Sequence, residues 1–276
     1  MLLNPQARLD VPDGTDPCSA LARTTHLGIG AHADDLEFMA LHGILAAYAR
    51  DDRWFGGITC TDGAGSVGSL DAAALITRRQ AEQREAARIG DYGFIAQLGY
   101  TSAEAKDRSD DRLTRDLATL IDACRPEIIY THNPADRHPT HLAVVARTLH
   151  ALHSLPRPSR PQRLLGCEVW RSLDWLEGAA RIELDVSSHP ELAARLADVF
   201  STQIDGGKHY DRAVRGREAA NATFGASHAA DPSPAVWLAM DLTPLLEDDA
   251  PSLTEYLHTH LDAFHRTALK ELSAYA

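Results

Sequence analysis

Four short apolar runs constrain this chain most: 26-HLGIGA-31, 53-RWFGGITCT-61, 94-FIAQLGY-100 and 127-EIIYTH-132. Helical periodicity separates them, near 36–50, 71–89 and 110–124, and a further helix is expected at 140–153. Strands alternating with helices of roughly 12–18 residues are the pattern of βαβ units. The expectation is an α/β fold, Rossmann-like and three-layered, with a mostly parallel sheet. The second half is less regular. Strands are expected at 163–171, 181–187 and 236–242, helices at 189–202 and 252–270, and a mixture of helix and loop over 204–235. Residues 1–22, with three Pro and three Asp, read as an arm lying on the surface.

Composition narrows the partners. The net charge is −12 and no Lys/Arg run exceeds the pair Arg78-Arg79, which argues against nucleic-acid binding. No stretch approaches 18 uninterrupted apolar residues, and the N-terminus has neither a basic nor an apolar leader segment, so no membrane span is expected. Cys18, Cys60, Cys124 and Cys167 are far apart and form no C-x-x-C pair. They read as core thiols of a reducing compartment. A cytoplasmic globular protein acting on a small polar molecule is the expectation, and a homo-oligomer is compatible with it.

In an open parallel sheet, ligands bind where strands release their carboxyl ends into loops. Three loops qualify: 31-AHADD-35, 61-TDGAG-65 and 132-HNPADRHPTH-141. In the first, Asp34-Asp35-Leu36-Glu37 fits a capping box, with Asp at the N-cap and Glu three residues on. That reading leaves His32 unexplained. In the third, His138 and His141 share one helix face, as a metal site needs. Fourteen histidines in 276 residues give about 0.7 such pairs by chance, so the spacing alone is weak. Indeed His150 and His153 form another pair, toward a helix C-terminus, and read as surface or packing residues. Taken together the loops say more. His32, Asp35 and a histidine of the third loop make a His/Asp/His set that suits Zn2+ with an open position, and Fe2+ could occupy the same ligands. Asp34 would then stand close enough to take a proton from an activated water.

These segments also resemble a known family. The stretch 31-AHADDLE-37 is similar to the A-H-P-D-D-x-E signature of the PIG-L/LmbE-like (N-acetylglucosaminyl) deacetylase superfamily. The loop 136-DRHPTHLAV-144 resembles its H-P-D-H motif, 61-TDGAG-65 its T-x-G loop, and 79-RQAEQREAARIG-90 its R-x-x-E helix. Weaker echoes occur at 184-LDVS-187 and 201-STQ-203. The resemblance implies His32, Asp35 and His141 as metal ligands, Asp34 as general base, His138 as the intermediate-stabilising or proton-donating histidine, and Arg79 as a substrate contact. The family's Pro is here Ala33. Its Asp between the two histidines is Thr140, and Asp136 is the expected substitute for orienting His138. Where the family tends to have an Asp after Gly-Tyr, this chain has Ser102.

The resulting expectation is a zinc-dependent N-deacetylase removing an acyl group from an amino sugar or similar metabolite. The chain 1–276 reads as one domain, with a metal-binding core at 26–160 and a part at 161–276 that completes the substrate site. Tyr210, Arg217 and His228 are candidates to close over the mouth, while Trp170 and Trp175 read as core or subunit contacts. A non-catalytic small-ligand-binding protein retaining the metal site is the alternative. A nucleotide-binding reading of 28-GIG-30 is disfavoured, because Asp34 and Asp35 would repel a pyrophosphate.

Overall fold

The computed structural model describes residues 2–65, 71–204 and 209–276. Parts of the loop read at 62–69 and of the mixed segment 204–235 lie outside these residues. The strands in chain order are β1 (Arg8–Asp10), β2 (His26–Gly30), β3 (Phe55–Thr61), β4 (Phe94–Tyr100), β5 (Ile128–His132), β6 (Arg163–Cys167), β7 (Arg181–Asp185) and β8 (Val236–Asp241). They form one sheet in the order β1-β4-β3-β2-β5-β6-β8-β7. The five strands from β4 to β6 are parallel, while β1, β8 and β7 run antiparallel to their neighbours. The mostly parallel α/β architecture is therefore as the sequence predicts.

Helices cover both faces: α1 (Pro17–Ala22), α2 (Asp35–Met39), α3 (Leu41–Ala47), α4 (Ala72–Ile89), α5 (Ser102–Lys106), α6 (Arg112–Cys124), α7 (Pro139–Ser154), α8 (Pro190–Asp198), α9 (Ser201–Gln203), α10 (Tyr210–Thr223) and α11 (Leu253–Ser273). One core gathers α1, α5, α6, α7 and the start of α11 against the sheet. The other gathers α2, α3, α4 and α8. In α6 the buried residues Leu113, Leu117, Leu120, Ile121 and Cys124 recur at helical spacing, giving the apolar stripe that faces the sheet. Strands β2 and β3 are buried along their whole length, which is why they read as continuous apolar runs.

Three expectations need correction. The helix read over 36–50 is two, because the backbone leaves helical geometry at Ala40 (φ −106°, ψ 14°). Residues 1–22 are more than a surface arm: β1 extends the sheet beside β4, Ala20 is fully buried, and Asp116 accepts the Leu3 and Asn4 main-chain N–H groups. Of the four thiols, all free, three are buried but Cys18 is exposed. No helix among the described residues is long and apolar enough to cross a membrane.

The strand order fixes where a ligand can go. From β2 the chain builds outward through β3 to β4, then returns so that β5 lies on the other side of β2. Between the carboxyl ends of β2 and β5 the connections diverge and leave a crevice. Gly28 and Gly30 serve that crevice rather than a phosphate. A Cβ on Gly28 would stand 2.8 Å from the Phe55 ring and 2.9 Å from Leu36, and one on Gly30 only 3.0 Å from the Asp35 Cβ. Both glycines let α2 press onto the end of β2.

Candidate metal centre and its cavity

Immediately after β2, Asp34 takes a left-handed backbone conformation, φ 89°, which is uncommon for a residue with a Cβ and concentrates at functional sites. Its carboxylate forms no hydrogen bond to the helix it precedes. Asp35 holds the turn instead, accepting the main-chain N–H groups of Ala31 at 3.0 Å and His32 at 2.7 Å through Oδ2. Glu37 is buried and takes Gln83 Nε2 at 2.8 Å and the Tyr92 hydroxyl at 2.7 Å on Oε1. The capping-box reading of this segment is therefore overturned.

From β5 and the loop after it come the remaining groups. His141 Nε2 lies 3.2 Å from His32 Nδ1 and 3.4 Å from Asp35 Oδ1, and His32 Nδ1 lies 3.3 Å from Asp35 Oδ2. Donors about 2.0–2.1 Å from one tetrahedral ion stand about 3.3–3.4 Å apart; each of these pairs has that spacing, with Asp35 facing His32 through Oδ2 and His141 through Oδ1. Asp136 accepts from His141 Nδ1 at 3.3 Å, the carboxylate–histidine arrangement that turns the other ring nitrogen toward a metal. Asp136 does not orient the His138 ring, as the sequence suggested. It takes the His138 main-chain N–H at 3.0 Å, and the ring's Nδ1 has no partner among the described residues. The physical reason is the first turn of α7, which brings His141 under Asp136 and carries the His138 side chain out to the cavity.

Two overlapping donor sets, His32/His138/His141 and Asp35/His132/His141, each gather within 4.8 Å. His132 escaped the sequence reading, because a histidine ending a strand looks like core; its place beside the first loop was the only signal. Its Nε2 accepts the Ala31 N–H at 2.9 Å, which occupies that lone pair, and its ring stacks on His141 with centroids 3.7 Å apart. It buttresses the centre.

Electrostatics separates the adjacent carboxylates. Burial, then the charges of Asp35 and Glu37, raise Asp34 well above the usual carboxylate range, with Arg79 opposing. Burial also acts to raise Asp35, but His141 and His132 outweigh it and hold Asp35 well below that range. Burial takes His141 down to about 4. One aspartate is thus poised to bind a proton and its neighbour a cation.

These groups open on a cavity of 310 Å³ lined by His32, Asp34, Asp35, Phe38, His138, Val169, Trp170, Gln203, Tyr210, Ala213, Val214, Arg217 and Trp237. Trp170, Tyr210 and Arg217 thus reach it, and Gln203 and Trp237 were missed. Trp175 instead packs on Phe264 at 6.4 Å, and His228 is exposed. Arg79 is not on the wall. It is buried, donates to the Gly63 carbonyl, and donates to Gln203 Oε1 at 2.9 Å. Gly63 has φ +71°, and a Cβ there would stand 2.8 Å from that guanidinium, so the T-x-G turn exists to receive Arg79. Ser102 opens α5 behind a Thr101/Glu104 capping box and does not line the cavity. Thr140 is buried.

The family model PIG-L: GlcNAc-PI de-N-acetylase matches residues 27–152. Among solved structures, N,N'-diacetylchitobiose deacetylase from Pyrococcus horikoshii is similar with a TM-score of 0.65 at 16% identity, over 83% of this chain and 87% of that one. The 4-carboxy-2-hydroxymuconate hydratase GalB from Pseudomonas putida KT2440 gives 0.61 at 15%, over 79% and 96%. The A40926 pseudoaglycone deacetylase Dbv21 gives 0.58 at 16%, over 79% and 97%. At such identities these likenesses show the fold alone, and the fold hosts both hydration and deacylation.

Proposed function

We propose, from the match of the PIG-L: GlcNAc-PI de-N-acetylase family model to residues 27–152, that the chain is a PIG-L/LmbE-like metal-dependent hydrolase removing an N-acyl group, most simply acetyl, from an amino sugar or similar small metabolite. The observation that carries this reading is the convergence of His32, Asp35 and His141, with His32 Nδ1 3.2 Å from His141 Nε2 and the two Asp35 oxygens 3.3 and 3.4 Å from those nitrogens. They would hold the ion. Bound there, Zn2+ or Fe2+ supplies Lewis acidity toward the acyl oxygen and makes water acidic enough to react near neutral pH.

The protein's own groups do the rest. Asp34, its proton affinity raised by burial and by Asp35, takes a proton from the attacking water. The water oxygen bonds to the acyl carbon, and a ring N–H of His138 supports the oxyanion. Burial, then the His32 charge, lower the proton affinity of His138, so the ring begins neutral and can relay. The proton held by Asp34 reaches the nitrogen through that ring as the C–N bond breaks, leaving a carboxylate and a free amine. Asp136 keeps His141 turned inward, and Arg79 acts through Gln203 rather than on substrate.

The test is acetate release from a panel of N-acetyl amino sugars by metal-replete and EDTA-treated protein. The replete sample should turn over and the stripped one should not. Asp34→Asn should lower kcat about 10²–10⁴-fold with metal content unchanged. Substantial turnover in that variant removes Asp34 as the base. A loaded wild type that releases no acid from any N-acyl amine favours the ligand-binding alternative.

A further inference from the structure

The walls of the cavity carry both signs of charge. Asp34, Asp35, His32 and His138 line it, and among the described residues Arg217 is the only Lys or Arg on the lining. Arg217 comes from α10, in the segment where the sequence gave the weakest signal. Its NH1 donates to the Val169 carbonyl, and its guanidinium carbon lies 6.0 Å from the Trp237 ring centroid. One edge of the fork is thus anchored on main chain and one face is covered by an aromatic.

The nearest candidate to neutralise it is Glu168, which is fully buried. Neutral donors already satisfy that carboxylate: Leu173 N–H at 3.0 Å on Oε2, and Leu238 N–H at 3.2 Å with Asn221 Nδ2 on Oε1. Among the described residues no carboxylate makes an ion pair with Arg217, whereas Arg181, Arg157 and Arg160 each have one. Arg217 also borders a neighbouring cavity, lined by Asp174, Arg181 and Glu183. Glu168 and Arg217 feel each other's charge, but no carboxylate of the described residues ion-pairs with the guanidinium, so its fork on this aromatic-lined wall is open to a carboxylate or phosphate.

We propose that the substrate carries a carboxylate or phosphate some way from its acyl nitrogen, and that Arg217 is the specificity-determining residue that receives it. The proposal rests on the N-deacylase reading of the same cavity. The substrate then lies with its acyl group at His32 and Asp34 and its anionic end at Arg217, with Trp170 and Trp237 alongside its body. A volume of 310 Å³ stands at the small end of ligand sites. It suits a single acidic amino sugar or an N-acyl amino acid.

A matched pair of probes tests this: N-acetylglucosamine and N-acetylglucosaminuronate, which differ at C6 by a carboxylate. Calorimetric binding to metal-loaded Asp34→Asn protein reads affinity without turnover, so it stands even if the deacylase reading fails. The anionic probe should bind about tenfold tighter or better. That preference should shrink as ionic strength rises in otherwise unaltered protein. Adding Arg217→Gln should collapse the ratio of the two affinities toward one, and Arg217→Lys should restore part of it, with circular dichroism verifying that both variants fold. In turnover assays of protein retaining Asp34, the preference should appear in KM more than in kcat. Equal affinities for the two probes, or a preference unaffected by Arg217→Gln, would overturn the proposal. Binding selectivity without any acetate release would leave the anion site standing and sink the deacylase reading.

Discussion

At the scale of single residues, the candidate centre places chemically identical neighbours in different surroundings. Asp34 and Asp35 share a turn, yet one sits among carboxylates and the other among imidazoles and main-chain N–H groups. His32, Asp35, His138 and His141 were legible in the sequence because they lie in the loops that leave β2 and β5 or at the start of the helices that follow, where side chains of an open sheet meet ligands. Asp136 was legible as a residue but not in its partner. It lies two positions before His138 along the chain, whereas the helix turn delivers His141 to it. That partnership makes a prediction. Asp136→Ala should leave the fold intact and weaken metal binding about 10–100-fold, as measured by competition with a chromogenic chelator. An affinity equal to that of the unmodified protein would mean that the 3.3 Å contact with His141 Nδ1 contributes nothing to orienting the ring.

At the scale of elements, the five parallel strands and α4, α6 and α7 were legible because each buries an apolar stripe or run long enough to show its period. The short pieces were not. α5 and α9 span five and three residues, too few to display periodicity, and α10 has a mean composition so polar that its helix is hidden. The likeness at 201-STQ-203 now has a physical basis. On α4, buried Glu82 accepts Ser201 Oγ at 2.8 Å, Thr202 N–H at 3.1 Å and Thr202 Oγ1 at 2.6 Å, while Arg79 takes Gln203. Helix α4 is therefore a clamp that presents Gln203 to the cavity. Glu82→Ala should release it: KM for an N-acyl substrate rises several-fold with a smaller change in kcat, and limited proteolysis near residues 201–204 accelerates. Unchanged cleavage in that segment would show that the clamp is not what holds α9.

At the scale of the whole molecule, the sheet has two unlike edges, and they are protected differently. Strand β7 ends one side with exposed or half-exposed residues, including paired Arg181 and Glu183 at 3.2 Å, and such charges discourage strand addition. On the other side β4 is buried and almost wholly apolar, so it would be a hazard if left open. The three residues of β1 cover it, pairing Arg8 with Gln97 and Asp10 with Ile95. So short a strand, nearly ninety positions from its partner, leaves no periodic trace, which is why the sequence offered only a surface arm. What holds it is Asp116, 1% exposed, which accepts the Leu3 N–H at 2.7 Å, the Asn4 N–H at 3.3 Å and the Tyr100 hydroxyl at 2.7 Å. Asp116→Ala strands these donors, at about 1–3 kcal/mol for each one left buried and unpaired. The variant should lose about 3 kcal/mol in denaturant unfolding and, with the β4 edge intermittently uncovered, scatter light on warming well below the unfolding midpoint of the unmodified protein. The candidate metal centre lies on other loops, so the chelator-measured metal affinity at low temperature should be unchanged. Full stability with clear solutions would mean that the arm is held by contacts other than this carboxylate.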